Sequence, residues 1–166
     1  MRYWHERPVE YANLFNPAFC SILLQNAIKG YEKEKKQGMP YPLIFLVLPL
    51  VLHSSTREVL PRTTRTKLHI WLQKQPEVRV RFAERASNLV PYTKEALAFG
   101  MQNGIINFCE DGKFTWVKGT LKAISAVSWS SDTEPAICCK KAEFVGRWLA
   151  QAGEVSTIYI MWGICP

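Results

Sequence analysis

The ten residues from Leu43 to Leu52, LIFLVLPLVL, are apolar without a break, with Pro49 set among them. No face of such a run suits water, so both sides must be covered and the run reads as a core element. A membrane span needs about 20 apolar residues. This run is stopped by Gly38 and Pro40 on one side and by His53, Ser54, Ser55 and Arg57 on the other, so it is too short to cross. Pro49 lacks a backbone donor and disfavours helical geometry at Leu48. The expectation is a buried helix, kinked or broken at Pro49, that restarts near Ser54 and stops before Pro61. A buried strand pair is the other reading, because short apolar runs do not separate the two.

At 166 residues, 48% of them apolar and six of them Trp, the chain suits a single domain, residues 1–166, with enough core to need neither disulfide nor metal. That composition excludes a disordered adaptor. The five cysteines, Cys20, Cys109, Cys138, Cys139 and Cys165, are odd in number and form no C-x-x-C pair, as expected of reduced thiols without a metal. The opening MRYWHERPVEY has no apolar signal core, so the expected location is the cytoplasm and no membrane is involved.

Three regions follow from the punctuation. In residues 1–61, an irregular arm over Arg2–Phe15 leads to Asn16-Pro17, a cap followed by a proline that sacrifices no hydrogen bond. A first helix is expected to run to about Gln37, place Phe19, Leu23 and Ala27 against the apolar run, and end at Gly38. In residues 62–118, prolines at 76 and 91 divide three short helices, Thr64–Lys74, Glu77–Val90 and Tyr92–Asn103. Two β-type runs, Ile105–Cys109 and Phe114–Val117, flank Glu110-Asp111-Gly112-Lys113, where an Asp-Gly turn would set Glu110 opposite Lys113. After a serine-marked connection from Lys118 to Ser131, residues 132–166 open on a helix start near Asp132–Pro135, with Ser131 and Glu134 at capping-box spacing. That helix ends at Gly153, and Val155–Trp162 forms a short buried helix.

The expected fold is mainly α, in the α+β sense: flanking helices around a winged-helix-like centre of three short helices and a hairpin. The helix in the recognition position offers only Lys94 against Glu95, and the hairpin tip is net negative. Both features argue against base readout and for a unit that grips protein.

Charge is uneven. Eight basic residues stand between positions 57 and 85 against Glu58, Glu77 and Glu84, so this stretch carries +5 of the formal +7. Arg57, Arg62, Arg65, Lys67, Arg79, Arg81 and Arg85 are the candidate contacts for a partner or for DNA, and Arg79, Arg81 and Arg85 fall largely outside the apolar stripe of Val78, Phe82, Ala86 and Leu89. A solvated face explains the same charges. No phosphate-binding loop, no H-E-x-x-H and no clustered catalytic carboxylates occur, so neither an active site nor a cofactor is expected.

Three patches carry a resemblance: Leu14-Phe15-Asn16-Pro17-Ala18-Phe19; Leu43–His53 with Leu60-Pro61; and Phe144–Leu149 with Gly153, Thr157-Ile158-Tyr159 and Gly163-Ile164-Cys165-Pro166. Together they resemble the small middle component of bacterial three-component ABC systems, among them Lamassu-type anti-phage defence, although Cys165 stands where that family's closing motif has a basic residue. The resemblance implies a non-catalytic accessory subunit held to an SMC/ABC-type ATPase, with a nuclease or other effector as third partner and non-specific DNA contact within the complex. The alternative is a stand-alone winged-helix DNA-binding regulator that uses the basic stretch.

Overall fold

A computed structural model of the chain describes residues 8, 14–118 and 130–164. All of the expected arm before Leu14 except Pro8, nearly all of the connection between Lys118 and Ser131, and the final Cys165-Pro166 lie outside the described residues. The fold is mainly helical with a small antiparallel sheet, as expected.

Helix α1 (Pro17–Lys35) starts where the sequence placed it. The Asn16 side chain accepts from the amides of Ala18 (2.9 Å) and Phe19 (3.4 Å), and Pro17 occupies the first turn. Its end differs from expectation. Lys36, at φ 57°, takes the left-handed position and its amide bonds Glu32 O. Gly38 instead serves a close approach, since a Cβ there would stand 2.8 Å from the Phe114 carbonyl oxygen.

Met39–Pro40 then forms the short strand β1, and the apolar run becomes α2 (Tyr41–Ile44), α3 (Val47–Val51) and, beyond His53, α4 (Ser54–Glu58). Leu43, Ile44, Leu46, Val47, Leu48 and Leu50 are all buried. The break falls at Phe45-Leu46, not at Pro49. With Leu46 as N-cap, Pro49 sits in the first turn of α3, where amide hydrogens have no intrahelical acceptor and the missing donor costs little.

Helix α5 (Leu68–Lys74) and a 3-10 turn (Pro76–Arg79) precede α6 (Phe82–Gln102). The helices expected at 77–90 and 92–103 are thus redrawn. The first is cut at Val80-Arg81, and the remainder runs unbroken through Pro91. Proline in a helix interior costs about 3 kcal/mol, chiefly by removing one hydrogen bond and crowding the preceding turn. Here the residue whose carbonyl loses its donor, Ser87, and Pro91 itself both lie on the exposed side of the helix, so the defect does not fall in the core. Leu89, Thr93, Ala96, Leu97 and Gly100 bury the opposite face and hold the helix through the defect. A helix-turn-helix needs a turn at this place, and the chain has none there.

The hairpin forms, with β2 (Ile106–Phe108) paired to β3 (Lys113–Trp116) and β1 added on the other edge of β3. Its loop holds three residues, Glu110-Asp111-Gly112, because Cys109 N bonds Lys113 O at 2.8 Å and Gly112 takes φ 74°. Glu110 therefore does not face Lys113. Asp111 does the pairing, with its carboxylate 2.8 Å from the Lys113 ammonium.

Helix α7 (Glu134–Ala150) begins at Thr133 without a side-chain cap; the Thr133 hydroxyl donates instead to Ser130 O, and the expected Ser131–Glu134 capping box is absent. Rather than the apolar run, α1's chief partner is α7. The reason is glycine: a Cβ on Gly146 would lie 1.8 Å from Ala27 O, and one on Gly30 2.1 Å from Glu143 O, so only hydrogen lets the two backbones meet. Helix α8 (Val155–Met161) docks by Ile158 and by Trp162, which stacks on Phe82 with ring centroids 3.9 Å apart.

Candidate interaction surfaces

The seven basic candidates take up four different situations. Arg57 is withdrawn from the surface. It is 7% exposed, donates to Val51 O at 2.8 Å and pairs with Glu134 at 2.8 Å, fastening the end of α3 to the start of α7. Arg62, Arg65 and Lys67 are exposed on the loop after Pro61. Two indoles fix that loop at its ends, Trp71 donating to Val59 O (2.8 Å) and Trp148 to Thr66 O (2.7 Å). Arg79 and Arg81 are exposed, but Arg81 is engaged, its guanidinium gripping Glu84 through two 2.8 Å bonds. That pairing pushes the Glu84 pKa down and the Arg81 pKa up. Arg85 is half-buried rather than free.

Arg81 and Arg85 are brought together with residues from distant stretches around an open cleft of about 860 Å3. One wall comes from the apolar run and α4, through Pro49, Leu52, His53, Thr56 and Val59. The 3-10 turn and the start of α6 form the other, through Val78, Val80, Arg81, Arg85 and Leu89. Arg81 adopts φ 54°, in the left-handed region that L-residues avoid, and has no side-chain cap for α6. This turn thrusts Val80 into solvent at 65% exposure, and Leu14, 48% exposed, lines the same cleft.

At the cleft's inner side, Thr56 Oγ1 lies 2.8 Å from His53 Nδ1 and 3.4 Å from an Arg85 terminal nitrogen, while the Thr56 amide donates to the same His53 nitrogen. Partial burial, then the Arg85 charge, lowers the His53 pKa and favours the neutral ring. Arg85 Nε is buried without an acceptor among the described residues. Burial alone moves the Arg85 pKa, and it moves it down.

A second surface lies at one end of the sheet. Tyr41 packs edge-on against Phe45 (5.0 Å between centroids) and near Phe108 (6.3 Å), and Phe108 and Phe114 are 4.8 Å apart. Phe108 is 49% exposed. Tyr159 donates to Pro42 O at 2.6 Å and so ties α8 to this corner.

Among the described thiols Cys20 and Cys138 are buried and Cys109 and Cys139 half-buried. Burial, with Glu95 adding to it, pushes Cys20 up to about 12, and burial with the neighbouring Cys138 pushes Cys139 up to about 11. Sequence reasoning missed the cleft because its walls are far apart in the chain. One signal was present: Val80 stands between Arg79 and Arg81 and off the stripe of Val78 and Phe82, an apolar residue without a buried place to go.

A family model described as the ABC-three component (ABC-3C) system Middle Component 3 matches residues 4–166. No curated protein and no solved structure matches the chain.

Proposed function

The chain belongs to the middle-component family of ABC-three component systems, and from that premise we propose that it is a non-catalytic accessory subunit coupling an SMC/ABC-type ATPase to an effector such as a nuclease, in anti-phage defence of the Lamassu type. The observation that carries the reading is the family match over residues 4–166, nearly the whole chain. Two features support it. Large apolar side chains stand in solvent on separate surfaces, Val80 at the cleft, Phe108 at the sheet and Ile160 on α8, which suits a subunit with more than one protein neighbour. Burial raises the pKa of Cys20, Cys138 and Cys139, which disfavours the thiolate that nucleophilic attack needs.

In the assembled complex the exposed Arg62, Arg65, Lys67 and Arg79 add a sequence-independent attraction to phosphates. No described helix is long and apolar enough to cross a membrane. The regulator alternative draws nothing from the centre of the fold, where α6 runs straight through the position of the turn.

Co-expression with an ABC ATPase from the same gene neighbourhood tests the proposal. The two proteins are expected to co-elute in size-exclusion chromatography at micromolar concentration, and separate elution would remove the reading. Binding-site selection on random duplexes with the isolated chain is expected to enrich no motif; a defined motif would replace the accessory subunit with the regulator.

A further inference from the structure

We propose that the cleft between α4 and the start of α6 is the seat of a partner subunit's segment, an apolar stretch bearing one aspartate or glutamate whose carboxylate pairs with Arg85. This rests on the accessory-subunit reading and names the chemistry of one contact within it. Three observations lead there. The walls are apolar yet unfilled, with Leu52, Val59, Val78 and Leu89 around an open volume of about 860 Å3 and Val80 at the mouth, 65% exposed. A chain segment of a few side chains is the scale of object that occupies such a volume.

The second observation is a positive charge without a counter-charge. Glu58, Glu77 and Glu84 line the same cleft, yet among the described residues none lies within ion-pair distance of Arg85: Arg81 holds Glu84, Glu58 and Glu77 stand exposed, and the inner contact of the Arg85 guanidinium is the Phe82 ring, 5.2 Å away. The buried Nε has no acceptor, and the one hydrogen bond of the group, to Thr56, is long at 3.4 Å. A half-desolvated guanidinium presents a fork of donors that a carboxylate fills. A neutral ligand would leave this guanidinium uncompensated. The third observation is the left-handed Arg81. Its conformation and its grip on Glu84 set the turn that exposes Val80 and keep Glu84 from Arg85, so the acceptor position stays open.

The experiment uses the full chain with its cognate ATPase and effector. A photoreactive benzoylphenylalanine at position 80 is expected to cross-link to a segment of one of those two proteins that carries Asp or Glu within about one helical turn. Val80→Asp should weaken assembly at least about tenfold, with an unchanged melting temperature because Val80 is already in solvent. Arg85→Met should weaken it similarly, and Arg85→Glu should be rescued by reversing the charge of the cross-linked segment's carboxylate.

Cross-links only to a second copy of this chain, a captured segment without a carboxylate, or assembly indifferent to Val80→Asp and Arg85→Met would each overturn the proposal. If Arg85→Met fails to fold, Val80→Asp and the cross-link decide alone. A wild-type chain that joins neither protein removes the proposed function and this inference with it. A wild-type complex untouched by the cleft variants removes the inference only.

Discussion

The crossing of α1 with α7 and the cleft in front of α6 are built from similar materials, apolar helix faces bordered by Arg and Glu, and they end in opposite states. At the crossing, glycines 30 and 146 let backbone meet backbone, and the bordering charges are paired across the helices, Lys33 with Glu143 and Arg147 with Glu34. At the cleft, the apolar walls stand apart, Arg85 has no carboxylate partner among the described residues, and the backbone at Arg81 is left-handed. Folding is satisfied at the first place, while at the second it leaves groups unsatisfied. The difference separates residues that hold the chain together from residues kept for something outside it.

The sharpest test of that division sets Leu46→Asp against Val80→Asp. Leu46 is fully buried, so a carboxylate there lies in apolar surroundings and costs about 4 kcal/mol or more, against a typical stability of about 5–15 kcal/mol. Urea denaturation should find the first variant largely unfolded and the second unchanged from wild type. A Leu46→Asp chain with the wild-type midpoint would mean that the run is a surface.

Next in size is the crossing itself. In an exposed helix, Gly→Ala stabilises by about 1 kcal/mol, but Gly146→Ala must push Ala27's carbonyl aside. The backbones cannot separate without opening the core, and a loss of about 3 kcal/mol is expected, at the upper end for overpacking. Gly112→Ala, where nothing lies within 4 Å but φ is 74°, should lose less, about 1 kcal/mol, through backbone strain alone. Equal losses in the two variants would show that contact distance is not what distinguishes them.

The third comparison is between the two partners of one ion pair, Arg57 and Glu134. Arg57→Met removes a buried group that serves Val51 O and Glu134, with an expected loss of about 1–3 kcal/mol. Glu134 is 72% exposed, so Glu134→Gln should lose about 0.5 kcal/mol or less. Thermal melts of the two variants separate the carbonyl contact from the ion pair. If both lose the same, the pair carries the effect and Arg57 belongs with the surface charges.

These contrasts also mark what could be read from the sequence. The cap at Asn16-Pro17, the burial of residues 43–52, the hairpin at 105–117 and the docking of Trp162 were legible, because each follows from local chemistry or from apolarity itself. The roles of the prolines were not. Pro49 and Pro91 are identical in what they remove, and whether that matters depends on where a helix begins and which face meets water. Gly38, Gly30 and Gly146 take their meaning from a distant backbone, and no periodicity announces which backbone that is. Among the site candidates, composition found the basic stretch but could not sort Arg57 from Arg62, since only the fold supplies Glu134 to one and solvent to the other. The cleft assembles from residues near 14, 52, 80 and 85, so its open charge became visible only once those stretches met.

The smallest expected effect turns on the two non-glycine residues found in the left-handed region among the described residues, Lys36 at φ 57° and Arg81 at φ 54°. An L-residue there is disfavoured by about 1–2 kcal/mol, and a glycine is not, but glycine gives back about 0.5–1 kcal/mol through the greater freedom of its unfolded chain. For Lys36, exposed at the end of α1, Lys36→Gly should therefore stabilise by about 0.5 kcal/mol. Arg81→Gly gains the same backbone relief but loses the two bonds to Glu84, so its gain should be smaller or absent. It also frees Glu84 near Arg85. In denaturant titrations the expected order of midpoints is Lys36→Gly above wild type and Arg81→Gly at or only slightly above it, with unchanged slopes. In the complex the order should differ, with Lys36→Gly neutral for assembly and Arg81→Gly weakening it, because a freed carboxylate can occupy the partner's position at Arg85. If Arg81→Gly is as stabilising as Lys36→Gly and assembles normally, the turn at 80–81 is ordinary helix entry, and the contrast between crossing and cleft loses its third support.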